Sequence, residues 1–464
     1  MNLYIIAEYL KKNFFNHSPF FVLMFVNAFA NVSIYASNPQ NVATDGGANG
    51  GRTIHCVSGV RGVDFNGDFL GCYAAASLLN NSVAVDAEGA LSVSFDEIDG
   101  NVRSLYVSFF HCDKHWRQSD LMEVEYVDGF NKVYNLETSR FSFNTTVDYV
   151  HYDIVIPTDV LKLSGNYIVK VFDASSDELL YATAFMICEN IVGVKSRLVR
   201  RDGVEPESLN RRQTDLSAQE LSISVVHPQL DVNNYPEELA VVCWQNHRFD
   251  TFRSVSTPTF IRADEVVYEG VEELSFEAGN EYRWLDTRNL KYAPANVSSI
   301  DFFDPFYHIT LYPDAMPKGY SYFEDFNGGQ YIEARYIHDD AAIAADYQLV
   351  HFTLPSAVND ADVYLFGELT GYTLTERNRL SYQSDLKAYT ATLWVKQGLH
   401  NYQYVAVSHH VAGYVTSSFY ENSFAATEND YYIAVYYRSY GGTYDRLVGF
   451  KRHNSLSSPN SFIR

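Results

Sequence analysis

The sequence predicts an all-β protein built from tandem β-sandwich domains of the immunoglobulin-like or early-set type. Short runs alternate between apolar and polar residues, as in "DYVHYDIVIP", where Val150, Tyr152 and Ile154 share one face. Asn-Gly, Asp-Gly and Gly-Gly dipeptides separate such runs and supply the positive φ values that tight hairpins require. The chain also contains 36 Tyr and 31 Phe, which favour strands. No long stretch has a helical period, so we expect sandwiches or barrels and little helix.

The composition limits the classes of function. The 464 residues include 34 basic and 57 acidic side chains, which give a formal net charge of −23. A surface this acidic repels phosphate backbones and anionic lipid, so it argues against nucleic-acid binding and against docking on a membrane. Hydrophobic residues make up 47% of the chain, which excludes wholesale disorder.

The N-terminus has the pattern of an export signal. Lys11 and Lys12 precede the short apolar run "PFFVLMFVNAFA", and Ala28 and Ala30 supply an A-x-A cleavage pattern, with Ala36 as a later alternative. The run is shorter than the roughly 20 residues that a membrane helix needs. We therefore expect residues 1–36 to be a signal peptide and the mature protein to have no membrane span. An anchored N-terminal helix is the alternative.

Two breaks in composition divide the remaining chain. The stretch 191–216 is charged and poor in large apolar residues, which predicts a linker, and a weaker break lies near 337–345. The predicted units are a first β-sandwich domain at 45–190, the charged linker at 191–216, a second β domain at 217–340, a C-terminal early-set-like β-sandwich at 345–452 and a flexible tail at 453–464.

The block "HCDKHW", which begins at His111, is the densest group of reactive side chains. In an extended chain His111, Asp113 and His115 share a face, and all three can bind a metal. Structural zinc sites usually have two close ligand pairs, and no second pair is present. Cys112 follows a run typical of a core strand, and a nucleophile would need an activating base and a cleft. We therefore expect no metal and no nucleophile here, but a strand end followed by a turn, with Trp116 packed.

Other signatures of catalysis are missing from the sequence. It contains no G-x-S-x-G, P-loop, H-E-x-x-H or dinucleotide fingerprint. Adjacent acids such as Glu272 with Glu273 and Asp339 with Asp340 are expected by chance in so acidic a chain, so they do not indicate a glycosidase. The run "DFNGG", from Asp325, is similar to the start of a calcium loop but lacks the later ligands, and we interpret it as a hairpin turn. We predict no catalytic residue, no metal and no cofactor.

Five cysteines leave the disulfide pattern open. Cys56 and Cys72 are the nearest pair and the first candidate for a disulfide, while Cys112 and Cys188 could meet across a sheet. An exported location permits disulfides, but the odd number and low density do not indicate a disulfide scaffold.

The C-terminal region resembles the early-set and glycogen-binding β-sandwich modules of glycogen-branching enzymes. The resemblance rests on "DVYLFGELTGY" followed by "AYTATLWVKQGLHNYQYVAV". In those modules a turn aromatic and hairpin aromatics stack on sugars. Tyr372 holds the turn position that Trp usually occupies, and Tyr402 and Tyr404 lie on the hairpin, so these three are the candidate sugar ligands. Sugar binding does not follow from the fold alone.

A larger set of blocks resembles the type IX secretion plug proteins of Bacteroidetes, formerly a domain of unknown function. The blocks include "LSVSFDEIDGN", "HCDKHWRQSDLMEVEYVDGF", "LSGNYIVKVFD", "FEAGNEYRWLD" and "TENDYYIAVYYRSYGGTYDRLVG", in this order between about residues 85 and 450. The resemblance implies a periplasmic, non-catalytic protein that closes the inward mouth of the large outer-membrane β-barrel translocon when no substrate is passing. Its expected partner is that barrel. A periplasmic or cell-surface glycan-binding protein is the alternative, and a hydrolase is a more distant one.

Overall fold

The computed structural model describes most of the chain from residue 91 onward and several short strands before it. The described ranges are 91–98, 102–134, 137–156, 160–201, 217–335, 340–411 and 414–456. Nearly all of the regular structure is β, so the predicted fold class is confirmed. No helix in the described ranges is long and apolar enough to cross a membrane. The predicted signal peptide, residues 1–36, lies outside the described residues apart from one two-residue strand.

The first lobe, defined as the described residues up to 190, is a sandwich of two antiparallel sheets. Its strands are β1 Ala30–Asn31, β2 Thr53–Val57, β3 Gly62–Val63, β4 Phe69–Leu70, β5 Ala76–Leu78, β6 Val83–Ala84, β7 Leu91–Glu97, β8 Leu105–Cys112, β9 Val133–Tyr134, β10 Glu137–Phe141, β11 Val150–Ile156, β12 Gly165–Asp173 and β13 Leu179–Cys188. One sheet has the order β1-β7-β11-β10, with β5 also on β7, and the other has the order β6-β2-β13-β12-β8-β9. β3 and β4 pair with each other in a separate two-stranded sheet. Phe95 and Tyr152 from the first sheet meet Phe109 and Phe185 from the second in one apolar core.

The middle lobe begins at residue 191 and runs to 282. Its first strands are β14 Gly193–Arg201, β15 Ala218–Val226, β16 Leu239–Gln245, β17 Arg248–Val255, β18 Phe260–Arg262, β19 Glu265–Tyr268 and β20 Ser275–Glu277. One sheet has the order β14-β15-β19-β18, with β20 also on β15. The second sheet starts with β17 and β16 and is completed by strands from the end of the chain.

The third lobe, residues 283–421, is inserted before that sheet is complete. Its strands are β21 Arg283–Asp286, β22 Val297–Phe303, β23 Phe306–Leu311, β24 Gln330–Ile332, β25 Tyr347–Pro355, β26 Ala361–Phe366, β27 Ser381–Gln383, β28 Ala388–Lys396, β29 Gly398–Ser408 and β30 Val415–Thr416. One sheet is centred on β29, which pairs with β21, β24, β26 and β30, and the other has the order β22-β23-β25-β28-β27. Tyr402 and Tyr404 from the first sheet and Phe352 from the second share the core.

The chain then returns to the middle lobe with β31 Asp430–Tyr437 and β32 Arg446–Asn454. β31 pairs with β16 along its length, so the second sheet of the middle lobe has the order β17-β16-β31-β32. Ile433 and Val435 from β31 complete the core around Val241 and Leu198. The middle lobe therefore comprises residues 191–282 and 424–456, and the third lobe is an insertion in it.

Within the described ranges, four short helices and two 3₁₀ turns join the strands. They are α1 Glu123–Tyr126, α2 Tyr235–Glu238, α3 Ala341–Ala344, α4 Ser418–Glu421 and the 3₁₀ turns Glu272–Leu274 and Glu368–Thr370.

The sheets divide the chain differently from the predicted units. The predicted linker at 191–216 contains β14, which pairs with β15 over its whole length and buries Leu198. Lys195 and Arg197 lie on exposed positions of this edge strand, and such exposed charges give the strand the composition of a linker. The predicted units at 217–340 and 345–452 are likewise replaced by the interrupted middle lobe and the inserted third lobe. β32 also extends to Asn454, inside the predicted tail.

Candidate functional site

The "HCDKHW" block lies where β8 ends and the chain reverses direction. The side chain of Asp113 accepts hydrogen bonds from the backbone N–H groups of His115 and Arg117, at 2.8 and 2.9 Å. Trp116 has a φ of 64°, in the left-handed region that such reversals require, and its side chain is buried. The block is therefore a strand end and a capped turn with a packed Trp, as we predicted.

His111 is fully buried, and both of its ring nitrogens have partners. Nδ1 lies 3.0 Å from the hydroxyl of Ser119, and Nε2 lies 3.1 Å from the carbonyl oxygen of Ser164. Burial lowers the pKa of His111 and favours the neutral ring. His115, in contrast, is exposed at the surface, with its ring 6.2 Å from that of Phe252. That His111, Asp113 and His115 hold no metal stays a prediction.

The described cysteines are buried thiols. Cys112, Cys188 and Cys243 are almost inaccessible to solvent, and no disulfide joins Cys112 to Cys188. Burial, followed by the charge of Asp113, raises the pKa of Cys112 to about 12, which leaves little thiolate to act as a nucleophile. The predicted disulfide between Cys56 and Cys72 stays a prediction. Cys72 lies outside the described residues, and of Cys56 only its place in β2 is described.

Trp116 anchors the first lobe to the middle lobe. Its ring packs against that of Phe249 in β17, with centroids 5.7 Å apart. The surrounding apolar cluster combines buried residues of β12 and β13 with residues of β16 and β31. Within it the hydroxyl of Tyr436 donates a hydrogen bond of 2.7 Å to the side chain of Asn166. The two lobes thus share a buried core, which is a stiffer connection than a flexible linker.

A buried group of charges connects the first lobe to the third; we call it the Asp96 junction. Asp96 lies on β7, and its carboxylate receives hydrogen bonds from His151 (2.6 Å), Tyr347 (2.5 Å) and the ammonium group of Lys396 (2.5 Å). Asp96 and His151 are 0% exposed and Lys396 is 4% exposed. His151 belongs to β11 of the first lobe, whereas Tyr347 and Lys396 belong to β25 and β28 of the third. One carboxylate therefore holds two lobes together.

Electrostatics at the junction favour the ion pair. Burial alone would raise the pKa of Asp96, but Lys396 and His151 outweigh it and hold that pKa below its usual value. Burial likewise acts to lower the pKa of His151, and the hydrogen bonds to Asp153 and Asp96 reverse this, so the pKa of His151 is raised. Lys396 also donates to the carbonyl oxygen of Ala342 and lies 4.3 Å from the centroid of the Tyr149 ring. The ammonium group is thus enclosed by acceptors from both lobes.

Further contacts extend this junction. The side chain of Asp346 accepts hydrogen bonds from the backbone N–H and the hydroxyl of Thr146, at 2.9 and 2.7 Å. An apolar cluster that includes Val147 and Tyr149 of the first lobe and Phe306 and Tyr347 of the third surrounds it. The three lobes therefore form one interlocked body.

The three candidate sugar ligands do not present a stacking surface. Tyr372, Tyr402 and Tyr404 are between 0% and 3% exposed. The hydroxyls of Tyr402 and Tyr404 both donate to Asp314, at 2.9 and 2.6 Å. Because their rings are enclosed by protein, a sugar could reach them only after the lobe had opened. The aromatic pattern on the hairpin therefore serves the core of the third lobe.

One group of residues has the donor chemistry of a metal site. Carboxylate oxygens of Glu281, Asp325 and Glu428 lie within 4.8 Å of one another. Asp325 begins the "DFNGG" run, and Asn327 and Gly328 have φ values of 52° and 89°, so the run does form a tight turn. The predicted hairpin is wrong, because the described residues 312–329 contain no strand and β24 pairs with β29. No local pattern indicates that this turn lies beside two acids from distant loops.

The comparisons with known proteins identify the first lobe. Residues 75–189 match the family described as "Type 9 secretion system plug protein 1st domain". This segment, about a quarter of the chain, is therefore similar to the first domain of a plug protein. The resemblance predicted from the sequence is thereby confirmed, and the match includes the "HCDKHW" block and both first-lobe strands of the Asp96 junction. The plug domain match ends one residue after β13, immediately before the middle lobe.

A solved structure extends the similarity beyond the plug domain. The crystal structure of a hypothetical protein from Parabacteroides merdae is 29% identical to this chain, with a TM-score of 0.73. The similarity covers 80% of this chain and 92% of the other, so it extends over most of the three lobes. No curated protein matches the sequence.

Proposed function

We propose that this protein is the periplasmic plug of a type IX secretion translocon and closes the inward mouth of its outer-membrane β-barrel when no substrate is passing. The observation that carries the proposal is the plug domain at residues 75–189. The partner is then the barrel, and the protein acts by obstruction, without catalysis. Its location is the periplasmic face of the outer membrane, which agrees with the export signal predicted from the sequence.

The interlocked lobes suit an obstructing role. A plug must keep its shape while it resists the passage of solutes, and lobes on flexible linkers would leave gaps as they moved. Here the lobes share buried side chains around Trp116 and a buried ion pair at the Asp96 junction. These contacts resemble the interior of a domain more than the weak interfaces between independently mobile domains.

The charge and exposed aromatic residues suit a reversible contact. The net charge of −23 discourages binding to anionic lipid and leaves the interaction with the barrel to specific patches. Exposed side chains such as Phe130 and Tyr440, each more than nine-tenths exposed, offer amphipathic contact area. A plug must also leave the pore when substrate passes, so we expect an interface of moderate area with a polar rim.

Deletion of the gene tests the proposal. We expect the deletion strain to admit large antibiotics such as vancomycin and to continue exporting cargo, because loss of a plug opens the idle pore without blocking it. Complementation with the wild-type gene is the control, and co-purification of the barrel with the tagged protein from detergent-solubilised outer membranes checks the partner. Loss of export with normal permeability would instead indicate a required motor or chaperone.

Glycan binding by the third lobe is less well supported. Its candidate ligands, Tyr372, Tyr402 and Tyr404, are enclosed in the core. We expect no retention of the purified protein on a polysaccharide column. Retention that Tyr372→Ala abolishes would favour the glycan-binding function.

A further inference from the structure

Three acidic side chains meet where the chain crosses between the middle and third lobes; we call them the crossing triad. Glu281 lies between β20 and β21, on the outward crossing, and Glu428 lies just before β31, on the return. Asp325 lies in the long loop of the third lobe that precedes β24. One carboxylate oxygen of each residue lies within 4.8 Å of those of the other two. Three segments that are distant in sequence thus direct negative charge at one point.

The described hydrogen-bond donors to the crossing triad are all neutral. Asp325 accepts from the backbone N–H groups of Tyr282 and Asn327, at 2.5 and 2.6 Å. Asn327 also donates to Glu428 at 3.1 Å, and Asn454 donates to it through its side-chain amide. Arg452, a nearby cation, forms its ion pair with Asp430. The described residues therefore give the triad no ion pair.

The second oxygen of Glu281 is the observation that points to a ligand. Glu281 is 4% exposed, and its Oε1 accepts hydrogen bonds from the hydroxyl of Tyr320 (2.7 Å) and the backbone N–H of Glu428 (3.1 Å). Its Oε2 is buried and has no hydrogen-bond partner among the described residues. Buried carboxylate oxygens are normally hydrogen-bonded, paired with a cation or bound to a metal. This oxygen belongs to the carboxylate that forms one corner of the triad, so a cation bound there can supply the partner that the described residues do not.

We propose that Glu281, Asp325 and Glu428 bind a divalent cation, and that calcium fits best. The ligands are all carboxylate oxygens, which suit hard cations. Calcium binds oxygen at about 2.3–2.6 Å in flexible geometry, so two of its ligands can lie as much as about 5 Å apart. Magnesium needs near-ideal octahedral geometry at about 2.0–2.1 Å and usually keeps several waters, so a set of three protein carboxylates suits it less well. Burial, together with the neighbouring acids, raises the pKa of both Asp325 and Glu428 to about 7, as expected for carboxylates that lack a counter-ion.

A bound cation would tie the two crossings to the loop of the third lobe. Without it, the mutual repulsion of the triad acts where the third lobe joins the middle one. The cation would therefore determine how firmly the inserted lobe is held, a role independent of whether the protein plugs a barrel.

Calorimetry on the full chain tests the proposal. We expect EDTA-treated wild-type protein to bind one calcium ion from CaCl₂ with a Kd at or below about 10⁻⁴ M, toward the tighter end of extracellular calcium modules. Glu281→Gln should weaken binding at least tenfold, because the number of ligand charges sets calcium affinity. The matched control is Glu272→Gln with Glu273→Gln, a pair of exposed acids in the same lobe, which should leave binding unchanged.

Thermal unfolding separates this site from a general effect of an acidic surface. In EDTA at about pH 8, where the triad is largely ionised, the first unfolding transition of Glu281→Gln should lie above that of the wild type, because the substitution removes repulsion between buried charges. In calcium, the wild type should gain more thermal stability than Glu281→Gln. If Glu281→Gln fails to fold, Asp325→Asn replaces it as the variant of the triad. Binding of terbium, measured by luminescence that Tyr320 sensitises, can then be compared between this variant and the wild type. The proposal is overturned if wild-type protein binds no calcium, or if Glu281→Gln and the surface control bind it alike.

Discussion

Replacing Asp96 with Asn should loosen the first lobe from the third. The substitution keeps the size of the side chain but removes the charge that faces Lys396, whose ammonium group is 4% exposed and lies 2.5 Å from the Asp96 carboxylate. The remaining contacts of that ammonium, to the carbonyl of Ala342 and the ring of Tyr149, are uncharged. Removing one partner of a buried ion pair costs about 3–5 kcal/mol. This is a large part of the roughly 5–15 kcal/mol that stabilises a typical protein.

Amide hydrogen exchange on β28 and β25 measures this loss where it occurs. A protein of three lobes need not unfold in one step, so a single melting temperature would be ambiguous. If the junction opens locally, about 3–5 kcal/mol corresponds to a loss of protection of roughly two to three and a half orders of magnitude. The control is Asp177→Asn, which breaks an exposed pair with Lys132 on the same lobe and should leave protection unchanged.

A second substitution distinguishes loss of the ion pair from general damage. Adding Lys396→Met to Asp96→Asn removes the stranded charge, so much of the lost protection should return. The reasoning would be refuted if the amides of β25 and β28 exchanged equally fast in Asp96→Asn and Asp177→Asn. It would also be refuted if the double variant with Lys396→Met were less protected than Asp96→Asn alone.

Three further predictions concern other buried side chains. Because the pKa of His151 is raised, the stability from its protonated ring is fully present below about pH 6.5 and is lost as the pH rises through the raised value. The difference in unfolding free energy between wild type and His151→Asn, measured in urea, should therefore be largest near pH 5–6 and shrink above it. Trp116→Ala should destabilise the contact between the first and middle lobes by about 3–5 kcal/mol, whereas Phe130→Ala, at a side chain that is 91% exposed, should change urea unfolding little. Cys112 and Cys243 should resist iodoacetamide in the native protein and react with it in urea, because burial raises the pKa of both thiols. Mass spectrometry measures the labelling, and rapid labelling of the native protein would contradict the burial of these thiols.

Local patterns in the sequence predicted much of the fold. Alternating runs and turn dipeptides identify the strands around β11, β12, β28 and β29, because each strand displays its two faces within a few residues. The turn after Cys112 could also be predicted, since Asp113 caps backbone groups only two and four residues away. The family resemblance was carried by these same local blocks, so it could be recognised before any tertiary contact was known.

The rest depended on contacts between residues that are distant in sequence. β31 pairs with β16 across the whole inserted lobe, and no local pattern indicates that partner. The Asp96 junction joins residues 300 positions apart in the chain, and neither Asp96 nor Lys396 stands out in so charged a sequence. Tyr402 and Tyr404 are candidate sugar ligands through the resemblance to glycogen-binding modules. Alternation along the hairpin predicts which residues share a face, but not whether that face is covered. β14 was interpreted as a linker for a related reason, since its charged positions are the exposed side of an edge strand.

Ion conductance through the reconstituted barrel tests the proposed plug role most directly. The purified translocon barrel would be placed in planar lipid bilayers without this protein, and the protein would then be added to the periplasmic side. We expect a large, persistent conductance that falls sharply on addition of the wild-type protein and returns when it is washed out. A barrel whose conductance is unchanged while the protein is demonstrably bound to it would contradict the proposal.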